Sequence, residues 1–312
     1  MSTADGGATG VSGIIALSTG ASGSGNTGAI YIGSGVATGG RAGAVYLTGG
    51  SGNTGVGSEL LLQGGTSSTA TKGTGGKLII SSGQGTKSTS GVLLLRTANA
   101  ATAGLSGMAI LSTGDATSGN SGGIYIGSGL GASGRAGHVY VTAGSGNSGT
   151  GGELVIKAGT STFADGTGGK LTISSGVGSA SSSGNLVLRS ADAGTAGATG
   201  LVALSTSAAT DGNSGGLYIG SGAGASGRAG HVYIAPGTGN SGTGGELVLS
   251  AGVTSFGASG GKVSIVSGSN SAGHSSGALL MSTADGGATG VSGIIALSTG
   301  TSGSGNTGAL YI

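Results

Sequence analysis

The sequence predicts an all-β fold: a parallel β-solenoid, or flattened β-helix, of about 15-residue coils, six coils to each 93/94-residue module, with no helices. Three observations predict it. Tyrosines followed by isoleucine recur at Tyr31, Tyr125, Tyr218 and Tyr311, at spacings of 94, 93 and 93 residues. Short aliphatic runs recur inside that period, about 15 residues apart. Within each run the residues alternate, which is the period of a half-buried strand.

In the first module the runs are IYIGSG from Ile30, VYLTGG from Val45, LLLQGG from Leu60, LIISSG from Leu78, LLLRTA from Leu93 and AILSTG from Ala109. The steps between them are 15, 15, 18, 15 and 16 residues. A hairpin sheet would need loops of only two to five residues. The spacers here are about ten residues, long enough to cross to a second thin face and return. Nearest-neighbour stacking would then extend the structure in one dimension. Longer spacers, GGTSSTATKGTGG around Thr69 and AGTSTFADGTGG around Phe163, read as loops budding from one corner per module.

The organisation follows. Residues 1–20 end a preceding module, 21–114, 115–207 and 208–300 are three modules, and 301–312 begin the next. The segment from Met281 to Ile312 repeats residues 1–32 with two differences, Ala21 to Thr301 and Ile30 to Leu310, at an offset of 280. The expectation is one continuous solenoid with a 280-residue super-repeat, seen through a window of a longer chain.

Alternation assigns faces. With pairs such as Leu60 and Leu62 inward, the central residues point out. That outward row comprises Tyr31, Tyr46, Leu61, Ile79, Leu94, Tyr125, Tyr140, Val155, Tyr218 and Tyr233, and it stays largely apolar. A continuous apolar stripe is an aggregation hazard unless something covers it, so the row is the expected lateral interface. Beside it runs a charged column just before each aliphatic pair: Glu59 and Lys77; His138, Glu153 and Lys170; His231, Glu246 and Lys262. On neighbouring coils these would form a weak, solvated ladder that holds register.

Composition narrows the function. Glycine supplies 80 of 312 residues, without the every-third spacing of collagen. A net charge of +2 gives no electrostatic pull toward nucleic acid. No apolar run reaches the length of a membrane span, and the absence of cysteine excludes disulfides and thiolate metal sites. There is no Asn-x-Ser/Thr sequon, while the many serines and threonines leave O-glycosylation, and glycans as partners, open.

Apparent motifs fail on context. GSGNTG from Gly23 matches a dinucleotide fingerprint, yet it leads into a strand pattern instead of a helix. GHSSG from Gly273 matches a nucleophile elbow around Ser275, but the other modules lack it and no helix pattern follows. One His and one Glu beside a lysine make a poor metal-ligand set. No catalytic, cofactor or metal residue is assigned, and the chain is not expected to be an enzyme, because repetition leaves no unique cleft.

The stretches SGNSGGIYIGSG and SGNSGTGGELVIKAG resemble the Gly/Ser/Thr-rich parallel β-solenoid repeats of giant extracellular fibre and surface proteins, including those of algae and related protists. The resemblance implies architecture and an extracellular or cell-surface location; no functional residue transfers from it. The expected role is structural: the shaft of an extracellular filament built by coil stacking and lateral self-association. The alternative is a cell-surface adhesin or surface-binding module. Ice binding is its narrower form, although Ser18, Gly33, Thr48, Gln63, Ser81 and Arg96 break any regular threonine ladder.

Overall fold

The computed structural model describes residues 2–8, 10–68, 73–102 and 104–312. The sequence around Thr69, read above as a budding loop, lies in part outside the described residues, as does Met1. The chain divides into two units, Met1–Val155 and Ile156–Ile312.

Both units repeat one motif, a straight arm followed by a corner. In the first unit the chain bends at 23–25, 38–40, 53–55, 86–88, 117–119, 132–134 and 147–149. In the second it bends at 179–181, 195–197, 210–212, 225–227 and 240–242 among others. The aliphatic runs lie between the bends, where β-branched and aliphatic residues favour an extended backbone. The bends fall mostly in Gly, Ser, Thr, Ala and Asn. Short polar side chains bridge several of them: the Asn270 Oδ1 accepts bonds from the Ala272 and His274 amides at 2.7 and 3.1 Å, and the Ser22 Oγ accepts one from the Gly25 amide at 2.9 Å.

The expectation of an all-β parallel β-solenoid is corrected by this geometry. The described residues contain no helix and no strand, and no side chain among them is buried. The reason lies in the spacers. Most of them close on themselves at a hydrogen-bonded neck instead of crossing over to a second face. The Gly76 amide donates to the Gly65 carbonyl at 2.7 Å, Gly91 to Gly83 at 2.9 Å, and Gly152 to Gly144 at 3.0 Å. In the second unit Gly169 donates to Gly159, Gly184 to Gly176, Gly245 to Gly237, Gly261 to Gly252 and Gly277 to Gly268, at 2.8 to 3.2 Å. One bond forms at each neck and no ladder follows it, so the arms do not stack as coils. The chain exposes 30219 Å2, where a compact protein of this mass exposes about 11,000 Å2.

Other necks are closed by a hydroxyl. Thr19 donates to the Gly28 carbonyl at 3.3 Å, Thr113 to Gly122 at 3.2 Å and Thr206 to Gly215 at 3.2 Å, so this fastening recurs once per module. Ser221 donates to Gly230 at 2.8 Å and Ser58 to Gly50 at 2.6 Å. The threonine necks thus recur at the 94- and 93-residue spacing, while the neck at Gly50 is closed by Ser58 and its counterparts at Gly144 and Gly237 by the Gly152 and Gly245 amides.

The third corner of each module needs a left-handed glycine: Gly55, Gly149 and Gly242 have φ of 78°, 80° and 88°. A Cβ in that region costs about 1–2 kcal/mol. Gly149→Ala is therefore expected to speed amide exchange at the Gly152 neck by roughly tenfold. Gly151→Ala, where φ is not positive and an added Cβ meets nothing within 4 Å, should leave it unchanged. Hydrogen-exchange mass spectrometry or NMR reads both.

Candidate association surface

The arms present their aliphatic runs to solvent in a consistent order. Tyr31 is 94% exposed, between Ile30 at 45% and Ile32 at 68%. The central residue is also the more exposed at Tyr46, Leu61, Ile79, Tyr125, Tyr140, Val155, Tyr218 and Tyr233; at Leu94 the following Leu95 is more exposed still. The two sides of the arm are thus distinct. The side carrying the flanking pair is the less exposed, and the tyrosine side is open.

Local sequence sets how the rings sit. A Cβ on Gly127 would lie 3.0 Å from the Tyr125 hydroxyl, and a Cβ on Gly216 would lie 3.2 Å from the Tyr218 ring. The missing side chain two residues away lets each ring lean along its arm. At the next arm the His138 and Tyr140 rings lie 5.7 Å apart, tilted by 49°, and His231 and Tyr233 repeat this at 5.7 Å and 55°. Residues two apart share a face of a pleated arm, so these pairs place the histidines on the tyrosine side.

The charged column keeps its position along the arms. Glu59, Lys77, Glu153, Lys170, Glu246 and Lys262 each stand immediately before an aliphatic pair and are exposed. Among the described residues the structure joins none of them, nor His138 or His231, in an ion pair. Before the GRAG corners the main chain passes close to itself: a Cβ on Gly131 would lie 2.8 Å from the Arg135 carbonyl oxygen, and one on Gly224 2.9 Å from that of Arg228.

Sequence reasoning missed the necks. Their signal was present as a Ser or Thr followed nine residues later by Gly, at Thr19/Gly28, Thr113/Gly122 and Thr206/Gly215, but it is submerged in a chain one-quarter glycine.

The described residues hold no cavity, no cluster of three or more His, Cys, Asp or Glu able to hold a metal, and no helix long and apolar enough to cross a membrane. No protein-family model matches the chain, and no curated protein or solved structure does either. What each unit offers chemically is a recurring, nearly neutral apolar surface.

Proposed function

We propose that this is a structural tandem-repeat protein whose copies associate side by side, forming the shaft of an extracellular filament. One observation carries the reading: the aliphatic arms are exposed along both units, with no buried side chain among the described residues. Apolar surface in water is costly roughly in proportion to its area. The surface beyond that of a compact chain, about 19,000 Å2, is roughly ten times what one standard stable interface buries. A single small partner would leave most of it wet. A surface that recurs with every module is matched in extent by another copy of itself. The small net charge of +2 sets little repulsion against such packing.

The test is sedimentation velocity of the 312-residue chain across a concentration series, with electron microscopy of the same samples. The expected result is growth into elongated assemblies as concentration rises. A chain that stays single throughout would overturn the reading and favour the adhesin, a discrete module that binds some other surface.

A further inference from the structure

We infer that neighbouring copies dock with their arms parallel and staggered by one arm, so that each glutamate of the charged column meets the lysine of the next arm on the partner. The inference rests on the self-association reading above and adds its register. Two independent observations carry it.

The first is the backbone. Among the described residues every main-chain to main-chain hydrogen bond lies at a neck or within a corner. None falls within Ile30–Ile32, Val45–Leu47, Ile124–Ile126 or Val139–Val141. An arm with free N–H and C=O groups along both edges is a template for another chain of the same pitch. A second copy supplies such an arm about every 15 residues, so pairing one arm brings the same sequence spacing to its neighbours.

The second is charge. Glu153 and Lys170 occupy the same position on successive arms, as do Glu59 and Lys77, and Glu246 and Lys262. Within the chain they form no ion pair. Copies aligned without offset would set Glu153 against Glu153 and Lys170 against Lys170, and like charges directly opposed destabilise. An offset of one arm sets Glu153 against Lys170 in all three modules, and also sets His138 against Glu153 and His231 against Glu246. Such a contact is heterologous: it uses different arms on the two copies and leaves an arm free at each end. A heterologous contact that does not close propagates into an open filament, which links the register to the proposed role.

The experiment uses three versions of the full chain at low ionic strength, where exposed charges are least screened. One carries Glu59→Lys, Glu153→Lys and Glu246→Lys. A second carries Lys77→Glu, Lys170→Glu and Lys262→Glu. A third carries Glu59→Gln, Glu153→Gln and Glu246→Gln. Sedimentation is expected to show each charge-reversed chain alone associating about a hundredfold more weakly than the parent. An equimolar mixture of the two should recover parental association, because every Lys column then faces a Glu column. The glutamine chain should associate more weakly than the parent.

Weak association that mixing does not repair would overturn the inference, since it would place the ladder within one chain. Stronger association of the glutamine chain would overturn the stagger, because it would mean that glutamates face glutamates. If the parent associates and no variant differs from it, the register claim alone falls. If the parent itself stays single, the self-association reading falls with it.

Discussion

Tyr125→Asp together with Tyr140→Asp is expected to weaken self-association by roughly a thousandfold while leaving the corners of the chain intact. The two rings stand on successive arms, 93% and 80% exposed, and on this reading a neighbouring copy covers them. Covering about 100 Å2 of each ring contributes roughly 2 kcal/mol. Losing two such contacts removes about 4 kcal/mol, or close to three powers of ten in the association constant. Aspartate adds a desolvation cost, so the estimate is a lower bound. Neither tyrosine takes part in a neck, so amide exchange at Gly152 and Gly169 should match the parent. Tyr125→Phe with Tyr140→Phe keeps the apolar area and should associate as the parent does. Sedimentation equilibrium checks all three chains; parental association of the aspartate chain would remove the tyrosine row from the interface.

Spacing alone located the arms: bends at 23–25, 117–119 and 210–212 stand 94 and 93 residues apart, the steps read from the tyrosines. Alternation likewise sorted Tyr31 from Ile30 and Ile32, and the greater exposure of Tyr31 follows that order. The cover of the aliphatic pair was not legible. A period of two states that one side of an arm differs from the other. It does not state whether the cover comes from the next coil of the same chain or from elsewhere, because both leave the same pattern. The solenoid expectation took the first option, and the closed spacers overturn it.

The spacers were misread for a related reason. About ten residues suffice to cross over to a second face, and they equally suffice for a loop that closes on itself. Chain length permits both. What decides is a contact between two residues with little or no side chain, such as Gly144 and Gly152, and glycine is so common here that its position carries little information. The threonine necks were more readable, since Thr19, Thr113 and Thr206 hold one place in each module. Their hydroxyls act locally on the backbone, a use that neither an outward threonine ladder nor O-glycosylation suggests.

The necks themselves yield the second large effect, an asymmetry between paired glycines. Gly76→Ala is expected to open its neck, whereas Gly65→Ala, on the other side of the same hydrogen bond, is expected to be tolerated. A Cβ on Gly76 would lie 2.8 Å from the Gly65 nitrogen and 3.3 Å from its carbonyl oxygen. Both are main-chain atoms and cannot swing aside as a flexible side chain could. A Cβ on Gly65 meets nothing within 4 Å. The donor is the crowded member elsewhere too: a Cβ on Gly169 or Gly261 would lie 3.1 Å from the nitrogen of Gly159 or Gly252, while both acceptors are open. Losing the hydrogen bond costs about 1 kcal/mol, and accommodating the methyl in a closed neck costs about as much again. Together they predict roughly thirtyfold faster exchange of the residue 76 amide in the Gly76→Ala chain. In the Gly65→Ala chain the same amide should exchange at the parental rate or slightly slower, because alanine narrows the conformations open to the unfolded chain. The comparison is internal, since both variants change one glycine to the same residue at the same neck. Equal exchange in the two chains would mean that the neck is not closed in this geometry, and with it would go the reason that the arms remain unstacked and free to meet another copy.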